Sequence, residues 1–258
     1  MVAAGVLGLI LVAVLWPALL APGDPLAIQP TEAFLSPRWG HPFGTDESGR
    51  DIYTRVVHGA AASAGVGLAA TAIGVGAGLV LGFAAGLGPD RLDAALGRII
   101  EVLFALPTLV MALLLVAIIG PGVAASVIAI GAATAPGYAR VLRARVRTVV
   151  RSDYVGFARL EGASARTVFT RHILPNALAP LASIAAVGVA QAIVWVSALS
   201  FLGLGAVPPS PEWGAMLNAG RVYITSAWWM TVFPGLAIVV TALVLTVVGR
   251  RLSSGGER

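Results

Sequence analysis

Long apolar blocks alternate with short polar stretches along this chain, and the block length is its first structural signal. Residues 2–20, 60–87, 99–119, 123–141, 178–202 and 228–248 each supply about 20 mostly apolar residues, enough to cross a hydrocarbon core about 30 Å thick as a helix. The pattern predicts an all-α integral membrane protein with about six transmembrane helices. Residues 1–20 form the first helix, 21–59 a loop, 60–249 a membrane core that includes a polar loop at 143–177, and 250–258 a tail.

Inside the blocks a few positions break the monotony. Gly74, Gly78, Gly82 and Gly86 recur every fourth residue, which places them on one helical face and lets a second helix approach closely. A packing seam is the favoured reading, ahead of a glycine-lined translocation surface. Pro107 and Pro136 fall inside the third and fourth blocks, where a freed carbonyl must find another partner and a kink is expected. Glu101 is the one carboxylate close to a span. A charge at the bilayer centre is costly, so Glu101 reads as a boundary residue paired with Arg98 rather than a proton-relay acid.

The polar loop is the part best suited to work in water. Ser152 or Asp153 can cap a short helix, and Gly162 can supply the left-handed residue that ends it. Ala165, Val168 and Phe169 then repeat at helical spacing, with Arg166 and Thr170 on another face, up to Pro175. Two short helices with a small-residue elbow at Ala158, Gly162 and Ala163 suit insertion into a groove on another protein. The alternative is an amphipathic helix lying on anionic lipid.

The first loop carries HPFGTDESGRDIYTRVVHG from His41 to Gly59. His41 and His58 with Asp46, Glu47 and Asp51 lack a recognised metal-ligand spacing. A structural reading follows: Gly44 and Gly49 form turns, Asp46 or Ser48 caps, and Arg50 and Arg55 engage acidic neighbours. No metal or cofactor is expected.

Composition agrees with the block pattern. Hydrophobic residues make up 58% of the chain and charged residues 11%, far below the roughly 25% charge of soluble domains. Cysteine is absent, which removes disulfides and thiolate chemistry together. Lysine is absent too, so every positive side chain is arginine. Eight arginines lie between Arg140 and Arg171: Arg140, Arg143, Arg145, Arg147, Arg151, Arg159, Arg166 and Arg171. With the N-terminus inside, cytoplasmic segments hold thirteen arginines and outer segments four, the bias that sets orientation. The net charge of +5 is therefore an asymmetry between two membrane faces. No basic stripe interleaved with aromatics points to nucleic acid. Residues 2–20 lack the positive n-region and small-residue cleavage site of a signal peptide, so a retained first helix is expected; its abrupt start suggests a few preceding cytoplasmic residues.

The run DYVGFARLEGAS…RHILPN resembles the cytoplasmic coupling motif of ABC-importer permeases: EAA, three residues, Gly, nine residues, then Ile-x-Leu-Pro. Gly162 matches the glycine, and Leu174 and Pro175 match the end. HPFGTDESGRDIYTRVVHG and ALSFLGLGAVPPSPEWGAMLNAGR, from Ala198 to Arg221, narrow the similarity to the C-type subunit of the dipeptide/oligopeptide/nickel permease family. Gly156 and Phe157 stand where the motif has Glu-Ala, Glu161 where an apolar residue is usual, and the chain reads GRRL from Gly249 where relatives have Gly-Asp. These departures fall on partner-specific contacts.

The resemblance implies a type I ABC importer permease fold with a cytoplasmic coupling helix, in a bacterial or archaeal inner membrane, with both termini cytoplasmic. Ala158, Arg159, Gly162, Ala163, Ser164, Leu174 and Pro175 would form the ATPase-coupling surface. The chain would be no enzyme, because a phosphate-cradling loop needs a lysine that it does not have. Implied partners are a homologous B-type permease, two cytoplasmic ATPase subunits, an extracytoplasmic substrate-binding protein and membrane lipid. Peptides are the expected cargo, with nickel chelates, haem and glycosides as alternatives carried by similar permeases. A membrane hydrolase would need a nucleophile–base pair or a HExxH site, which this sequence lacks. A proton-coupled secondary transporter would carry intramembrane ionisable residues and often an internal repeat, and neither is evident.

Overall fold

The computed structural model describes residues 2–179 and 181–255. Helix α1 (Val2–Leu15) stops before Pro17, which opens the single-turn α2 (Pro17–Leu20). The following loop is irregular apart from a 3-10 turn at Pro30–Glu32 and the isolated antiparallel bridges Arg38–His41 and Thr45–Asp51.

α3 (Ile52–Leu87) starts where the Asp51 carboxylate accepts the Thr54 amide at 2.7 Å, an N-cap that satisfies one of the free amides of the first turn. It therefore begins eight residues earlier than the apolar block at 60–87 predicts, because a cap and a packed first turn stabilise helix that hydropathy alone does not register. α4 (Asp90–Ala105) and α5 (Thr108–Ile119) occupy the third block, and they meet at 95°. The predicted single span at 99–119 is thus a broken pair. Leu106 precedes Pro107 and is extended, with ψ 136°, the conformation that proline's ring forces on the residue before it.

α6 (Val123–Val150) runs through Pro136 without interruption. Then come α7 (Asp153–Leu160), α8 (Ala165–Thr167), a π-helical stretch at Val168–Ile173 and α9 (Leu174–Leu178). α10 (Leu181–Phe201), α11 (Trp213–Gly220) and α12 (Trp229–Gly255) complete the chain. α3, α6, α10 and α12 contain stretches long and apolar enough to cross a membrane, and the bent α4–α5 pair brings the number to five when it is counted as one span. α1, with 14 residues, is shorter than the roughly 20 needed for a full crossing.

The four glycines of α3 lie against α6. A methyl at Gly74 would stand 2.5 Å from the Thr134 hydroxyl, at Gly78 2.5 Å from Tyr138 Cβ, at Gly82 2.8 Å from Leu142 Cβ and at Gly86 2.7 Å from Val146 Cγ1. Partner numbers rise together, so α3 and α6 are parallel. α10 is antiparallel to α3, with Gly67 on Ile193 and Gly188 on Thr71. α12 closes on α10 through Gly249, against Ala186 and Val187.

Candidate functional site

At the C-terminal end of α6 the chain turns into α7. Ser152 occupies the N-cap position, but its hydroxyl donates to the Val149 carbonyl rather than capping the helix. Gly162, at φ +82°, closes α7: its amide donates to the Arg159 carbonyl and the Ala163 amide to the Ala158 carbonyl. This pair of bonds is a Schellman motif. Ser164 then accepts the Thr167 amide and starts the next helical turn.

Pro175 does not end the second helix as the sequence suggests. The π-helical turn at Val168–Ile173 and the side chain of Asn176, donating to the His172 carbonyl at 2.7 Å, accommodate the donor that proline lacks. Helix therefore continues through Pro175 to Leu178.

α7 has two faces. Val155 and Ala158 are buried in an apolar cluster with Leu142, Val146, Val149, Val168, Ile173 and Ala177. Tyr154, Phe157 and Leu160 point away, 43%, 65% and 84% exposed. Of the residues singled out from the sequence, Arg159, Gly162, Ser164 and Pro175 are exposed and Ala163 and Leu174 are half-buried. Ala158 faces inward, so it is not available to enter a groove. The outward triplet is legible in hindsight as bulky residues at i, i+3 and i+6.

A clamp ties α4 to this end. Asp93 is nearly buried and accepts the Arg143 Nε at 2.6 Å and Nη2 at 3.1 Å, while Arg147 pairs with both Asp93 and Asp90. A side chain at Gly97 would collide with the Arg143 guanidinium. Sequence reasoning missed the clamp, although Asp90 and Asp93 at i, i+3 and Arg143 and Arg147 at i, i+4 each share a helical face. Arg140 lies 5.0 Å from the Phe104 ring centroid and Arg145 bonds the Asn176 carbonyl, so half of the arginine island braces the chain itself. Glu101 is exposed, and no ion pair joins it to Arg98 among the described residues.

At the opposite end, residues 41–59 and 198–221 interlock. Arg55 is buried and donates to the carbonyls of Pro25, Pro209 and Ser210, with Asp46 3.7 Å away. Trp213 Nε1 donates to the Val56 carbonyl, and the Trp213 amide to Ser63 Oγ. Glu212 caps α11 by accepting the Gly214 and Ala215 amides, both at 2.9 Å. Gly44 and Gly49 adopt φ +76° and +75°. Asp46 binds the Ser48 and Arg50 amides, whereas Asp51 caps the helix. His41 contacts Asp51 at 2.9 Å and Glu32 at 3.3 Å, while His58 bonds the Ala21 carbonyl, so the two histidines serve different contacts.

Between the ends a cavity of about 680 Å³ opens beneath the α4–α5 break, lined by Phe104, Pro107, Thr108, Thr134, Tyr138 and Gln191 among others. Irregular backbone at membrane depth is tolerated where protein buries it or where it lines a water-filled space.

Comparisons with known proteins agree with this arrangement. The chain is 43% identical over 206 residues to the di/tripeptide transport system permease protein DppC of Pseudomonas aeruginosa, covering 80% of this chain and 68% of that one. It is 40% identical over 230 residues to the probable D,D-dipeptide transport system permease protein DdpC of Escherichia coli, covering 89% and 77%. In fold it is similar to a crystal structure of an amino acid ABC transporter (TM-score 0.60, 18% identity, 77% of this chain and 95% of that one). Inward-facing conformations of the MetNI methionine ABC transporter also match (TM-score 0.57, 17% identity, 75% and 94%). These neighbours establish the type I ABC importer permease fold. The model of the binding-protein-dependent transport system inner membrane component matches residues 78–255, from the glycine seam through α7 to α12, and the chain belongs to that family.

Proposed function

We propose that this permease subunit forms, with a homologous permease, the pathway through which an ATP-driven importer carries short peptides delivered by an extracytoplasmic binding protein. The observation that carries the reading is α7: a short helix braced on one face and presenting Tyr154, Phe157 and Leu160 on the other. A cluster of exposed bulky apolar side chains on a polar loop marks a protein contact, and a helix seated in a groove is the matching recognition mode. The occupant of that contact is an ATPase subunit, with Arg159, Gly162 and Ser164 at the rim. The peptide cargo is supported by the names of the relatives at about 40% identity.

The α7 end faces the cytoplasm, since the arginine island lies there. Closure of two ATPases on nucleotide moves α7, and the apolar cluster beneath it passes the displacement to α6 as a rigid lever. The Asp93 clamp carries the same movement to α4. Selection of cargo rests mainly with the binding protein, which docks against the interlocked loops at the other end.

The test is uptake by the complete importer in proteoliposomes. Labelled dipeptide should accumulate with ATP and binding protein, stop without ATP, and persist when the proton gradient is collapsed. Uptake that follows the proton gradient instead would overturn the reading.

A further inference from the structure

A polar group inside a membrane span is costly unless water, another side chain or a ligand answers it. Two such groups face the cavity beneath the α4–α5 break. The Tyr138 hydroxyl on α6 and the Gln191 amide on α10 make no hydrogen bond to any described residue, yet both residues line that space. Neither is sealed in: among the described residues only Glu47 and Arg50 carry fully buried side-chain polar atoms without a partner.

Tyr138 is also held in place. Gly74 and Gly78 of α3 and Gly188 of α10 each approach it so closely that an added methyl would contact its ring, its Cβ or its hydroxyl. The glycines therefore fix an aromatic side chain whose polar end has no hydrogen-bond partner among the described residues, an arrangement that packing alone does not require.

The remaining wall indicates the ligand chemistry. Leu103, Phe104, Leu106 and Val187 contribute apolar surface, Thr108, Thr134 and Ser183 add hydroxyls, Arg250 stands at the rim as the one charged group, and no carboxylate lines the cavity among the described residues. A phenol and a primary amide each both donate and accept, matching the N–H and C=O of a peptide bond without selecting a side chain or a charge. Neutral hydrogen bonds are also modest in strength, and a pathway must release what it binds. Resting on the peptide-import reading above, we propose that the uncharged side chains of Tyr138 and Gln191 form a station that holds the backbone amides of a peptide in transit.

The experiment uses the complete importer in proteoliposomes, measuring labelled dipeptide uptake per ATP hydrolysed. Tyr138→Phe and Gln191→Leu should each reduce it about 3- to 10-fold, the loss of one hydrogen bond, while assembly and binding-protein-stimulated ATPase stay at wild-type level. In this cysteine-free chain, Gln191→Cys should react with a water-soluble thiol reagent, and saturating dipeptide with binding protein and ATP should slow that reaction. Unchanged uptake in both polar variants would overturn the station. So would failure of Gln191→Leu to assemble with the partner permease, which would assign that side chain to the subunit contact. If the wild-type importer carries a different solute and no dipeptide, the peptide-import reading fails first, and the peptide assignment of the station fails with it.

Discussion

Asp93 illustrates how much one side chain can decide. It sits between Arg143 and Arg147 at the junction of α4 and α6, and removing its charge leaves two partly buried guanidinium groups facing each other. Breaking a buried ion pair on one side costs about 3–5 kcal/mol, and partial exposure of the arginines lowers that to about 2 kcal/mol here. Asp93→Asn should therefore lower the melting temperature of the purified protein, and by less at high salt, which screens the two facing guanidinium charges; an unchanged melting curve would show the clamp to be incidental. Gly162 makes a different demand. Its φ of +82° disfavours side chains, but a Cβ there would meet open space, so the cost is conformational, about 1–2 kcal/mol. Gly162→Asn, which tolerates this region, should behave nearly as wild type. Gly162→Val should still reach the membrane yet hydrolyse ATP without uptake, and normal uptake in that variant would remove the elbow from the mechanism.

At the level of elements, the glycine seam and α7 respond to opposite kinds of change. Helices in lipid associate by close packing rather than by burial from water, and the seam leaves no space for a methyl at Gly78 or Gly82. Gly78→Leu and Gly82→Leu should therefore be poorly produced even without the partner permease, since overpacking of this kind costs about 3 kcal/mol or more. Stable, folded variants would mean that α3 and α6 can separate freely. On α7, Phe157 and Leu160 contribute little to the chain's own core, so Phe157→Ser with Leu160→Ser should change stability by only about 0.5 kcal/mol. The same double variant should abolish co-purification with the ATPase. Retained co-purification would place the contact elsewhere.

For the molecule as a whole, orientation decides which end meets which partner. α3 and α6 are parallel, so α7 and the interlocked loops lie at opposite ends of the bundle. With cysteine absent, single reporters can be introduced cleanly. Ser164→Cys should react with a membrane-impermeant thiol reagent only from the cytoplasmic side, and Ser210→Cys only from outside. The reverse pattern would invert the topology and with it every partner assignment.

The apolar blocks, the four-residue glycine spacing and the helix–Gly162–helix elbow were all legible along the chain, because each follows from a local rule: span length, helical period, or a left-handed residue closing a helix. Other features depended on contacts between distant residues. Hydropathy cannot distinguish one span from two helices meeting at a proline, so the α4–α5 break required the backbone path itself. Nor can it show that the π turn and Asn176 would carry the helix through Pro175. The joining of residues 41–59 to 198–221 through Arg55 and Trp213, of Asp93 to α6, and of Tyr138 and Gln191 to one cavity spans from about fifty to more than 150 positions. A hydrogen bond or ion pair depends on a few ångströms of separation, and only the assembled helices bring those side chains within that range.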